Sequence, residues 1–147
     1  MYIHAPIPQK KSSWRDFENL VADIFERFDY TVMRDVRFKT ARRFQIDLVA
    51  YNERLCIFID CKDHAYINPS KEEAFIEKQR VRADNLGLED KRFQYKKKKV
   101  LLVTKHKTDS MILGSADEGR ILSVDADSLP YLLRDINIYE DNLVSID

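Results

Sequence analysis

Seven residues in a row, Leu55-Cys56-Ile57-Phe58-Ile59-Asp60-Cys61, limit most strongly what this chain can fold into. They are apolar without alternation until Asp60. A strand of that kind has no polar face to turn to water, so it belongs at the centre of a sheet covered on both sides. Seven further segments supply the covering layers and neighbours. Phe17, Leu20, Val21, Ile24, Phe25 and Phe28 repeat at helical spacing and predict an amphipathic helix over 14–29, with Ser13 as N-cap and Asp16 as its capping-box partner. Alternating residues predict strands over 30–38 and 44–51, joined by a turn at 39–42. A polar helix is expected from Ser70, capped with Glu73, to about Asn85, with Gly87 at its C-cap. Residues 100–104 and 121–125 read as two more strands. Ser128 is placed to cap a last helix through Leu129, Leu132, Leu133 and Ile136, with Pro130 in its first turn.

Smaller expectations complete the outline: a loop over 64–69, a short helix over 107–119 closed by Gly119, and an edge strand in 138–146. The order α-β-β-β-α-β-α-β-α is a three-layer α/β arrangement on a mixed sheet. Residues 1–13 read as an N-terminal arm and 14–147 as a single domain.

At 147 residues and 44% hydrophobic, the chain is a globular domain long enough to bury a core. No apolar run approaches the ~18 residues of a membrane span. No signal peptide is visible, and a soluble cytoplasmic protein is the expectation. With three glycines in the chain, a glycine-rich phosphate loop is excluded, and with it a P-loop or dinucleotide fold. His4, His64 and His106 show no zinc spacing with the cysteines. Cys56 and Cys61, five apart on one strand, point to opposite faces and cannot share a metal or a disulfide. They read as small buried apolar residues.

The formal net charge is zero, but it is unevenly distributed. From Asp109 onward nine acids face two bases, a net of −7, so the first 108 residues carry +7. Five bases lie between Arg34 and Arg43. Lys71, Lys78, Arg80 and Arg82 stud the polar helix, which is either solvent-exposed or turned to a polyanion. A basic half permits an anionic partner without requiring one. The Lys96–Lys99 run is read as solvated surface lysines.

One constellation carries chemistry. Asp60 and Lys62 share a strand face, and pairing about Asn52–Arg54 brings Asp47 beside Asp60. Two close carboxylates raise each other's pKa unless a cation lies between them. Hard oxygen ligands with an incomplete shell suit Mg²⁺ or Mn²⁺, and a bound divalent ion with a nearby lysine is apparatus for phosphodiester hydrolysis. The plainer reading of Asp60 and Lys62 is a surface ion pair. Against it, both aspartates sit among apolar neighbours, Ile46 and Leu48 for Asp47, where an unpaired carboxylate is costly. Glu18 lies at the edge of the apolar stripe of the first helix, either solvated or able to reach the same site.

The stretches Phe17-Glu18-Asn19-Leu20-Val21, Ile46-Asp47-Leu48-Val49 and Ile59-Asp60-Cys61-Lys62, with Val100–Thr104 and the Leu129…Leu132-Leu133 helix downstream, resemble the PD-(D/E)xK nuclease superfamily. The likeness is closest to the Mrr-type restriction endonuclease catalytic domain, and looser to archaeal Holliday-junction resolvases. It covers about residues 14 to 136. It implies a three-layer restriction-endonuclease-like fold and a metal-dependent endonuclease acting on DNA. Asp47 and Asp60 would bind Mg²⁺ (or Mn²⁺), helped by the backbone carbonyl of Cys61. Lys62 would orient the attacking water or stabilise the phosphate, Glu18 would complete the site directly or through water, and Gln79 is the candidate polar residue of the following helix. The family's Glu before x-Lys is Asp60 here, and the usual glycine two residues before Asp47 is Gln45. Gln79 is followed four residues on by Ala83, without the tyrosine of exonuclease relatives. Arg37, Lys39, Arg42, Arg43, Lys78 and Arg82 are the expected phosphate contacts. With no recognition module, a homodimer or a specificity-giving partner protein is expected. The alternatives are a non-catalytic module that keeps the fold to bind nucleic acid or protein, and a nuclease acting on RNA.

Overall fold

The structure is a computed structural model that describes residues 9–39, 43–62, 69–105 and 119–146. Helix α1 (Gln9–Arg27) leads into strands β1 (Thr31–Lys39), β2 (Arg43–Tyr51) and β3 (Leu55–Lys62). Helix α2 (Pro69–Glu89) and a 3₁₀ turn (Lys91–Phe93) feed β4 (Lys97–Thr104). Strand β5 (Ser123–Asp125), helices α3 (Leu129–Arg134) and α4 (Ile136–Tyr139), a second 3₁₀ turn (Glu140–Asn142) and strand β6 (Val144–Ser145) follow. The sheet runs β1-β2-β3-β4-β5, with β6 also on β4. Pairs β1–β2 and β2–β3 are antiparallel, β3–β4 and β4–β5 parallel, so the sheet is mixed as expected. One side of β4 is shared: its start, Lys99–Val100, takes β6, and its end, Leu102–Thr104, takes β5.

β3 is central, with all residues from Leu55 to Cys61 buried. Its odd-numbered side chains join α1 and α3 in one apolar layer, with Phe25, Leu48, Leu101, Val124 and Leu132. Cys56 and Phe58 join α2 in the other, with Ile76, Leu86, Phe93 and Leu102. The two cysteines are free, buried and on opposite faces. Among the described residues no helix is long and apolar enough to cross a membrane.

Several boundaries differ from the sequence expectation. α1 begins at Gln9 rather than at Trp14, so Ser13 lies inside the helix and not at its N-cap. Gln9-Lys10-Lys11 are good helix formers and extend it toward Pro8. At its other end Asp29 takes a left-handed φ of 68°, and the Tyr30 N–H donates to the Phe25 carbonyl (3.2 Å), closing a Schellman cap. α2 starts at Pro69 and runs through Gly87, so neither the Ser70 capping box nor the Gly87 C-cap forms; Glu73 pairs with Arg120 at 3.2 Å instead. Nor is α2 a helix without a packed face. Glu72, Ile76, Gln79, Ala83 and Leu86 form a buried stripe whose two polar members disguise its periodicity. Ser128 heads the last helix but makes no side-chain cap; its N–H donates to Asp125 Oδ1 (2.8 Å). That helix breaks at Asp135 into two. The strand expected over 121–125 is shorter, with Ile121 making only an isolated bridge to Leu143. The edge strand expected in 138–146 is present as β6. Residues 106–118, and with them the short helix expected there, lie outside the described residues, as do His4, His64, His106 and Arg42.

The Lys96–Lys99 run is not simply solvated. It begins β4, where Lys99 is buried and donates to Ser145 Oγ (2.8 Å), and Lys97 reaches Glu140 Oε2 at 3.3 Å. Arg54 meets the same carboxylate at 2.5 Å. The acidic C-terminal segment therefore neutralises Lys97 and Arg54 at the end of the sheet remote from Asp60.

Candidate active site

β1 and β2 form a hairpin that changes face halfway. Val32 packs against the α1 layer, whereas Val36 and Phe38, of the same parity, pack against the α2 layer. On β2, Leu48 faces α1 and Ile46 faces α2. The switch falls where Asp35 adopts a φ of 50° and the ladder omits the Asp35–Asp47 pair. Asp35 accepts from Gln45 Nε2 (2.7 Å) and Arg37 Nε (3.1 Å), and these bonds hold the kink. The β2–β3 ladder ends at the same level, at Leu48–Ile59. Beyond that pair β2 leaves β3, and Asp47 and Asp60 stand at the head of the opening.

Asp47 Oδ2 accepts the Cys61 backbone N–H (2.9 Å). Asp60 is buried at 6% exposure, and Lys62 Nζ lies 3.3 Å from its Oδ2. The same ammonium sits 4.4 Å over the Phe75 ring, a contact that fixes it from the α2 side. Burial and the Asp60 charge push the Asp47 carboxyl up to about 7, against the stabilising Cys61 N–H.

These groups open into one cleft of about 900 Å³, walled by Trp14 from α1, by Arg43, Phe44 and Gln45 from the hairpin, and by Ala74, Glu77, Lys78, Val81 and Arg82 from α2. Glu18 is set behind this wall. Its Oε2 accepts the Trp14 indole N–H (2.7 Å), and it lines a neighbouring hollow with Arg15, Arg34, Asp35 and Gln45. Its carboxyl is raised, chiefly by burial and further by Asp35 and Asp60, while the indole N–H opposes the rise. Trp14 and Gln45 line both spaces.

The structure thus brings Asp47, Asp60, Lys62, Arg43, Lys78 and Arg82 to one cleft, with Glu18 one side chain away. Arg37 and Lys39 line an adjoining concavity. Arg80 is held by Glu77 at 2.6 Å. Gln79 is not part of the cleft wall. It is buried on the sheet-facing side of α2, and neither its amide nitrogen nor its oxygen has a partner among the described residues. The sequence reading missed Trp14, although its place four residues before Glu18 puts the two on one helix face. It also missed Phe75, whose only signal is its place on the helix after Lys62.

Among the described residues no three His, Cys, Asp or Glu side chains form a ready metal cage. The donor set present is two carboxylates, one of which is poorly ionised beside the other without a cation. That fits a hard divalent ion that keeps much of its water shell, and does not fit a closed structural site.

Comparison with known proteins bears on the family and the fold. No curated protein matches the chain. Among solved structures, the protein of unknown function AF1548 shares the fold with a TM-score of 0.56 at 17% identity, over 78% of this chain and 59% of that one. VC1899 from Vibrio cholerae matches with a TM-score of 0.53 at 14% identity, over 85% of this chain and 33% of its own. The small subunit of the heterodimeric restriction endonuclease R.BspD6I has a TM-score of 0.48 at 12% identity, over 86% and 71%. The chain therefore spans 59% of the first structure and a third of the second. The Mrr-type catalytic-domain model, described as restriction endonuclease, matches residues 9–133, most of the sequence. By that match the chain belongs to the restriction endonuclease family and carries its fold.

Proposed function

We propose that this protein is a metal-dependent endonuclease that hydrolyses phosphodiester bonds of DNA, with residues 14–147 as its catalytic domain. The observation that carries the reading is the convergence of Asp47, Asp60 and Lys62 at the head of a single cleft edged by Arg43, Lys78 and Arg82. Asp47, Asp60 and the Cys61 carbonyl would hold Mg²⁺ or Mn²⁺, with Glu18 contributing through water. The ion, when bound, supplies positive charge for the phosphate and lowers the pKa of water. Lys62, anchored between Asp60 and Phe75, directs its ammonium at the phosphate and stabilises the charge that builds on its oxygens. The Cys61 N–H orients the Asp47 carboxylate. Arg43, Lys78 and Arg82 hold the flanking phosphates. Gln79, on the same side of the sheet and with no partner for its amide among the described residues, would support the site from beneath α2. A homodimer, or a partner protein that gives specificity, would bring a second site to the other strand, and the cytoplasm is the proposed compartment.

The test is cleavage of supercoiled, branched and single-stranded DNA, and of RNA, with Mg²⁺ or Mn²⁺. Asp60→Asn and Lys62→Ala should each lower the rate at least ~10³-fold while leaving the fold intact. Absence of cleavage on every substrate, together with no Mn²⁺ binding by calorimetry, would leave the Asp60–Lys62 pair as a structural ion pair in a binding module.

A further inference from the structure

We propose that Trp14 is a positioning residue of the metal site. Its indole N–H holds one oxygen of Glu18, so that the other is left to accept from water on an ion bound by Asp47 and Asp60. What that ion then does to DNA rests on the nuclease reading above; the linkage of Trp14 to Glu18 does not.

Trp14 and Glu18 are four apart and so lie on one face of α1. The indole packs against the apolar layer that Phe17, Val21 and Phe25 build with the sheet, which fixes the ring. Its Nε1 donates to Glu18 Oε2 (2.7 Å) in a part-buried position. Among the described residues no hydrogen bond or ion pair reaches Glu18 Oε1. An indole has one donor and no acceptor. It can orient a carboxylate but cannot itself ligate a cation. A phenylalanine in its place would fill much of the space and orient nothing.

The indole also stands where the two spaces meet. It walls the cleft with Asp47, Asp60 and Lys62, whereas Glu18 lines the hollow behind and not the cleft. Asp60 helps to raise the Glu18 carboxyl, and Glu18 helps to raise that of Asp47, so the acids feel one another across this wall. A cation between the two aspartates relieves Glu18 as well. Partners behind a metal-site carboxylate fix its orientation, and Trp14 stands in that relation to Glu18.

The test is Mn²⁺ titration of the intact chain by calorimetry, without DNA. Trp14→Phe and Glu18→Gln should each lower the affinity about tenfold. The double variant should bind no more weakly than Glu18→Gln alone, because the two residues act as one unit. A purely structural tryptophan would instead add its loss to that of Glu18→Gln. Trp14 is the chain's single tryptophan, so Mg²⁺ should shift its emission, and Glu18→Gln should remove the shift. Unchanged affinity in Trp14→Phe, additive losses, or no Mn²⁺ binding by the unmutated chain would each overturn the proposal. If Trp14→Phe no longer melts cooperatively, the emission decides, and an absent shift or one that survives Glu18→Gln overturns it. Coupled Mn²⁺ binding without cleavage of any substrate would retain Trp14 as a positioning residue and remove the nuclease reading. Cleavage without the coupling would do the reverse.

Discussion

Asp47 shows how this site is held in tension. Its folded-state pKa, raised to about 7 by burial and Asp60, lies above that of an unfolded aspartate. A raised carboxylate contributes full stability below its unfolded pKa and loses it as pH climbs through the folded value. The metal-free protein is therefore expected to lose stability between about pH 4 and pH 7. Asp47→Asn keeps an acceptor for the Cys61 N–H and removes the charge. It should raise the melting temperature of chelator-treated protein by roughly 5 °C near pH 8 and change it little near pH 4. A thermal melt series across pH checks this, and a parallel loss for both proteins would show that Asp47 is not the group responsible. At this scale the sequence was informative where side chains follow strand parity. Asp60 and Lys62 share a face because they are two apart, and Asp47 meets them because the turn at Asn52–Arg54 is tight. Helical spacing also placed Glu18 near the site. It did not reveal the Trp14 N–H that holds Glu18, nor that Gln79 is buried rather than on the cleft wall. Those depend on how far α1 and α2 sit from the sheet, which no local pattern encodes.

Among the elements, the unbroken apolar run of β3 was the most legible, since a strand buried on both faces admits one place in a sheet. The 3₁₀ turn before β4 was hidden inside a basic stretch, yet it carries Phe93. That ring is fully buried and packs edge-on against Phe58 (5.9 Å) and Tyr51 (5.5 Å). Phe93→Ala should cost about 3–5 kcal/mol, measured by urea unfolding, because the space it leaves is bounded by strands that cannot close in. A cost under ~1 kcal/mol would mean that the turn rearranges. The hairpin shows where parity reasoning fails. Tyr30, Val32, Val36 and Phe38 read as one alternating face, but a left-handed residue at Asp35 transfers the last two to the opposite layer. Aspartate tolerates that conformation without requiring it, so its letter in the sequence carries no warning.

Taken as a whole, the molecule sorts its charge by position rather than by segment. The acidic C-terminus pairs with Arg54 and with Lys97 at the start of β4, and Arg43, Lys78 and Arg82 edge the cleft. Reversing Lys78 and Arg82 to glutamate should therefore lower the slope of log K against log salt for duplex DNA by about 0.9 for each phosphate left unneutralised. An unchanged slope would remove α2 from the interface. The three-layer plan was legible from element order, whereas the sharing of β4 by β5 and β6 was not, because a two-residue strand leaves no pattern. The Asp35 kink also bears on how copies of this chain meet. Strand β1 is outermost, and among the described residues nothing pairs with its outer side. An open strand edge is ordinarily a template on which another chain can extend the sheet. Here the kink leaves no straight run longer than four residues on either side of Asp35, and Arg34, Arg37 and Lys39 add like charge along it. An incoming strand would lose register at Asp35 and meet repulsion beyond it, so the residue that opens the cleft also guards the protein against aggregating through its own sheet.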